Sequence, residues 1–420
     1  MIAVLRNAAY AKLFSAQVIA LVGTGLLTVA LGLLAFDIAG GDAGIVVGTA
    51  LTIKMVAYVA VSPLMIAITA RIPRKALLIA ADVMRALVAM SLPFVTEAWQ
   101  IYVLIFLLQS ASATFTPTFQ AVIPEILPDE REYTRALSLS RLAYDLESLV
   151  SPVLAAALLT VISYHNLFIG TVVGFIGSAL LVIATRFPAM RPFEPVPFFD
   201  RLTRGARVFL RTTELRSLLA MNLVVGTSTA MVIVNTVVLV QGDLGRPQSD
   251  VALLLAAYGA GSMVIALLLP RVLDTLPERP VMLTGAVTLP VGLVAAVALT
   301  AVPVGPATWP LLLVNWLVLG AATSLVLTPS ARLLRRASDE SNRPAVFAAQ
   351  FSLSHACFMI TYPIAGIVGA TWGLWAAAAT LAALGALAAV AAVIAWRSTS
   401  VAEPEPGPRR KGVPMAGEQR

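Results

Sequence analysis

Charged residues make up only 12% of this 420-residue chain, against 59% hydrophobic ones. Lysine is reduced to four positions, histidine to two and cysteine to Cys357 alone. Each scarcity excludes something. No lysine follows a G-x-x-x-x-G-K-[ST] loop, so the sequence offers no ATP site. Neither H-E-x-x-H nor G-x-S-x-G occurs, and His165 and His355 are too few for a metalloprotease, an esterase or dedicated metal capture. The reading is no enzyme, no cofactor and no metal. A single cysteine makes no internal disulfide, so it says nothing about redox compartment.

What the chain has instead is length in apolar runs. Its mean hydropathy of +0.89 exceeds what a soluble core needs. About 20 apolar residues cross a hydrocarbon layer roughly 30 Å thick as a helix. Twelve spans are predicted, at 13–37, 43–69, 76–95, 100–123, 138–160, 167–187, 216–240, 250–271, 280–301, 309–331, 344–369 and 371–396. The runs are continuously apolar and do not alternate, which selects helices over a barrel. The first is too long for a signal peptide and lacks a small-residue cleavage site, so it reads as a retained helix. With both ends placed in the cytoplasm, 26 of the 29 lysines and arginines fall in inner segments and only Arg246 falls outside. That asymmetry sets the orientation. It also accounts for the net charge of +7, since basic inner loops lie against anionic lipid and require no nucleic acid.

Four prolines between 188 and 197, followed by an arginine-studded stretch, break the apolar pattern. The expected organisation is a six-helix half at 1–187, a cytoplasmic linker at 188–215, a second half at 216–396 and a disordered cytoplasmic tail at 397–420. The halves echo each other. Pro117 and Pro152 are 35 residues apart, Pro329 and Pro363 are 34 apart, and TFTPTFQAVIPEIL is answered by LVLTPSARLLRRA. Matched prolines indicate a duplicated unit, because a membrane helix tolerates proline only where neighbours satisfy the freed carbonyl.

Three segments carry a family likeness: LRNAAYAKLFSAQVIALVGTGLLTVAL, SPLMIAITARIPRKALLIAADVMRA and TFTPTFQAVIPEILPDEREYTRALSLS. They resemble the major facilitator superfamily, in particular the bacterial branch of drug:proton antiporters that includes the enterobactin exporter and macrolide-efflux-like permeases. The resemblance implies an all-α membrane protein of twelve helices in two pseudo-symmetric halves, working as a monomer in the bacterial inner membrane. In the superfamily's loop between helices two and three, Ile66, Ala70 and Pro73 replace the usual glycine, aspartate and glycine, while Arg71, Arg74 and Lys75 remain as the gating-loop cations. The antiporter element of helix five is reduced to Ser151-Pro152-Val153-Leu154-Ala155-Ala156. Thr24 stands where this branch often carries an aspartate.

The stretch RLAYDLESLVSP concentrates charge inside span five. Arg141, Tyr144, Asp145, Glu147, Ser148, Ser151 and Pro152 share an arc of about 160°, with leucines opposite. Arg141 and Asp145, four apart, can neutralise each other at the inner mouth. Glu147 has no basic partner one turn away and lies near mid-bilayer, the surroundings a proton carrier needs. Its alternative is an ion pair with Lys54, which lies at the same depth and costs from about 2.5 kcal/mol upward if left alone. His355 reaches that level from the second half, as a relay or as a hydrogen-bonded structural histidine. Glu147, Asp145 and His355 are therefore the proton-coupling candidates. Lys54, Tyr58, Thr24, Gln109, Arg141, Tyr144 and Asn222 are the cavity candidates. Asn222 and Asn315 also suit simple interhelical hydrogen bonds, and Asp82 with Arg85 suits a self-neutralising pair. The function expected is proton-coupled efflux of a small amphipathic molecule by alternating access. The rivals are export of a divalent metal or siderophore and, in another class, a non-transporting receptor or scaffold. Buried charges disfavour the scaffold, which could carry leucine in their place.

Overall fold

A computed structural model describes residues 2–61, 72–187, 207–273, 275–301, 305–338 and 343–397. Twelve long helices carry the described chain: α1 Ala8–Ala39, α2 Ala43–Val56, α3 Arg74–Ser91, α4 Ala98–Ile126, α5 Glu130–Leu158, α6 His165–Ile183, α7 Thr213–Val237, α8 Gln248–Val272, α9 Glu278–Ala301, α10 Thr308–Arg336, α11 Arg343–Trp372 and α12 Leu374–Arg397. No strand occurs among the described residues. Ten runs among them are long and apolar enough to cross a bilayer. The first, Ala8–Val61, is bent by Gly40 at φ 52 into α1 and α2. A left-handed backbone of that kind suits glycine, which lacks the Cβ that would clash there.

α5 falls outside those ten runs because of its charges. It starts at Glu130, eight residues before the predicted span, so a charged first third precedes the segment that holds Glu147. The helix α7 likewise begins within the predicted linker, preceded by a helical turn at 207–211. The remaining linker residues, 188–206, and the tail beyond Arg397 lie outside the described residues.

Packing repeats when every helix number is advanced by six. Thus α1 packs on α6 as α7 packs on α12, α3 on α4 as α9 on α10, and α1 on α5 as α7 on α11. The contact of α2 with α11 becomes, under the same shift, that of α8 with α5. These two seams join the first six helices to the last six. Pro152, Pro329 and Pro363 all sit inside helices.

The α2–α11 seam is tight near the face where α2 begins, here termed the far face. A Cβ on Gly366 would collide with the Gly44 carbonyl, and one on Gly48 would come within 2.8 Å of the Tyr362 carbonyl. Only glycine lets the backbones approach this closely. Asn235 of α7 seals the crossing, its Nδ2 donating to the Ala365 carbonyl at 3.1 Å.

Candidate functional site

Below that seam the two halves diverge along one stripe of α11. Phe351, His355, Phe358 and Tyr362 recur at intervals of four, three and four residues, within an arc of about 60°. Ile360 and Ile367, on the opposite side, are exposed as lipid-facing residues are. Exposure along the inner stripe rises from 6% at Tyr362 to 40% at Phe351. A cleft therefore lies between the halves, closed at the far face and widening toward the face where α1 begins.

The α2 side of this cleft carries Lys54 and Tyr58. Nζ of Lys54 stands 6.0 Å from the centre of the Tyr58 ring, a cation–π placement. The Tyr58 ring meets His355 at 5.3 Å and Phe351 edge-on at 5.9 Å between centroids. Directly after Lys54 the helix widens into a π turn at Ala57–Val61, a local loosening that recurs at functional sites. On the α11 side, Phe351 and His355 lie 4.1 Å apart, and Nδ1 of His355 is 2.6 Å from the Phe351 carbonyl.

Glu147 approaches from α5. A Cβ at Gly25 of α1 would come within 2.7 Å of its Oε1 and would overlap Ser151, one turn further on. Gly25 is thus the notch that admits both side chains. Lys54 and Glu147 interact through space, and no direct ion pair joins them among the described residues. The electrostatic reach of Glu147 also includes Tyr58 and Tyr144. Near Tyr144, Gln17 accepts from Ser140 at 3.0 Å. The side chains of Arg141 and Asp145 lie outside the described residues, as does Arg71.

The other predicted positions divide. Thr24 donates to the Ala20 carbonyl of its own helix at 2.9 Å. Gln109 is buried in α4. Asn222 donates to Gln350 at 3.2 Å and ties α7 to α11, while Asn315 donates to the Gly292 carbonyl at 3.1 Å. Arg74 pairs with Glu125, and Lys75 donates to the carbonyls of Ile183 and Thr185 at 2.6 and 2.9 Å, capping the end of α6. These loop cations thus make contacts within the first six helices.

Asp82 and Arg85 form their buried pair. Ser178 donates to Asp82 at 2.7 Å, and the Arg85 guanidinium lies between Phe115 and Phe175 at 4.3 and 4.6 Å from their centres.

Several polar or packing residues escaped sequence reasoning. Gln17, Phe351 and Gly25 are among them, as is Tyr258, whose hydroxyl lies between those of Thr229 and Thr323 at 3.3 and 3.0 Å. The aromatic spacing in α11 was the available signal for Phe351. Nothing local marks the notch.

Comparison with known proteins bears on this architecture. An uncharacterised MFS-type transporter, YfiS of Bacillus subtilis strain 168, is 25% identical over 292 residues, covering 66% of this chain and 67% of that protein. Among solved structures, a bacterial homologue of the human lysosomal transporter Spinster, inward-facing and occupied, matches at a TM-score of 0.72 with 12% identity, over 95% of this chain and 99% of that one. The nucleoside transporter NupG matches at 0.68 with 13% identity, over 93% and 99%. At such identities the likeness concerns the fold. The family description "Major Facilitator Superfamily" matches this sequence twice, over residues 13–234 and 218–418, and the chain belongs to that family of membrane transporters.

Proposed function

We propose that the chain is a secondary active transporter that exports a small amphipathic molecule against proton entry. In this reading residues 1–187 and 216–396 rock about the central cleft and expose it to each side in turn. The observation that carries it is the placement of Lys54 and Glu147. Two opposite charges face one cleft from α2 and α5, close enough to interact, without the direct ion pair that a purely structural role would favour. Glu147 takes a proton while the cleft faces outward and releases it to the cytoplasm. Substrate and proton favour opposite states of one carboxyl, and such coupling needs no contact between them. The protein then works as a monomer in the bacterial inner membrane, and the distribution of lysine and arginine supports cytoplasmic placement of both ends. The quoted segments support the efflux branch that includes the enterobactin exporter.

Growth of an expressing and a deletion strain across drugs, metals and siderophores identifies a transported compound. In proteoliposomes with an imposed pH gradient the parent then concentrates that compound. Glu147→Gln keeps size and hydrogen bonding but removes the charge, so accumulation falls to unity while downhill exchange persists. Undiminished accumulation by this variant contradicts the proton-carrier role.

A further inference from the structure

The ring cluster on the cleft wall has a chemistry of its own. The Phe351 carbonyl can only accept a hydrogen bond, so Nδ1 of His355, 2.6 Å away, carries the hydrogen. In the neutral ring this leaves Nε2 as a lone-pair acceptor, and no hydrogen-bond partner takes it up among the described residues. Around the imidazole, measured between ring centroids, stand Phe351 at 4.1 Å, Tyr58 at 5.3 Å and Phe358 at 6.4 Å. Phe351 is 40% exposed, a large amount for an aromatic side chain on the inward stripe of a membrane helix. That exposed surface, beside the His355 and Tyr58 rings, is where a further ring could pack. Resting on the reading of this cleft as the transport path, we propose that Tyr58, Phe351 and His355 form an aromatic subsite. It selects a flat ring bearing a hydrogen-bond donor, a phenolic hydroxyl or a ring N–H, which Nε2 of His355 receives.

Both parts follow from ordinary magnitudes. Offset or edge-on ring contacts and a single hydrogen bond each contribute about 0.5–1.5 kcal/mol, so each selects by up to about tenfold. An aliphatic molecule of equal volume forfeits the first. A ring without a donor forfeits the second and leaves the imidazole acceptor desolvated.

The test uses full-length protein in lipid nanodiscs and three matched probes: naphthol, methoxynaphthalene and decahydronaphthol. Naphthol binding is followed by its fluorescence, in excess over empty nanodiscs, and the other two compete against it. Naphthol is expected to bind saturably, with each competitor about five- to tenfold weaker. His355→Phe should erase the preference for naphthol over methoxynaphthalene while keeping that for flat over saturated rings. Phe351→Leu should do the reverse, and Tyr58→Leu serves the same purpose if that variant does not fold. Absence of saturable naphthol binding, equal affinity for the three probes, or ratios unchanged in the variants each overturns the proposal. The proton-carrier reading is tested separately by Glu147→Gln, so one can fail while the other stands.

Discussion

Gly25 matters for what a methyl group there would displace. Its Cβ would overlap Ser151 and press on Oε1 of Glu147, so Gly25→Ala should cost about 1–3 kcal/mol as an overpacking substitution and lower the thermal midpoint of the purified protein. Ser151→Gly removes the obstructing atoms, so the double variant should recover most of that loss. Simple additivity of the two changes would show that the notch does not couple them. Lys54 and Glu147 make a second pair to test. Exchanging them as Lys54→Glu with Glu147→Lys should restore more transport than either single change retains, and a double variant no better than the worse single removes the coupling. These residues were also the most legible in the sequence, because a charge inside an apolar run costs too much to be incidental. The notch was not. It joins positions 126 residues apart, and neither glycine nor serine is conspicuous in a membrane helix.

Among the elements, α2 and α11 bear the strain of closure at the far face. Gly44, Gly48 and Gly366 hold the backbones in contact, and Asn235 bonds across the crossing. Gly366→Ala should therefore destabilise the form closed at that face. In a background with Cys357 replaced by alanine, a cysteine at the buried position Val47 reports the change. Its labelling by a membrane-impermeant maleimide should rise severalfold in Gly366→Ala, and unchanged labelling would deny the seam this role. Among the described residues most helices were readable in number and approximate position, since long apolar runs mark the segments that avoid water. The ends of α5 were less so. Its charged beginning at Glu130 continues the helix beyond the apolar run, and hydropathy cannot distinguish such an extension from a loop. The aromatic stripe of α11 lay in between, visible as a period but indistinguishable from core packing until Tyr58 of the other half was set against it.

For the whole molecule, the repeat of helix contacts at a shift of six helices describes two units that meet at α2–α11 and α5–α8. Orientation is the first thing to check at this scale. Cysteines at Arg211 and Gly305, in the helical turn before α7 and between α9 and α10, should label from opposite sides of the membrane, with Arg211 cytoplasmic. Labelling from one side would break the twelve-helix topology. The deeper claim is that one carboxyl controls which way the cleft faces. Spin labels at the exposed positions Asp42 and Thr371, at the far-face ends of α2 and α11, measure the opening of that face by electron–electron resonance. The parent's distance distribution should shift between acid and alkaline pH. Glu147→Gln, a fixed likeness of the protonated carboxyl, should keep the parent's acid distribution at every pH. If that variant titrates as the parent does, Glu147 is not the group that couples protons to alternating access.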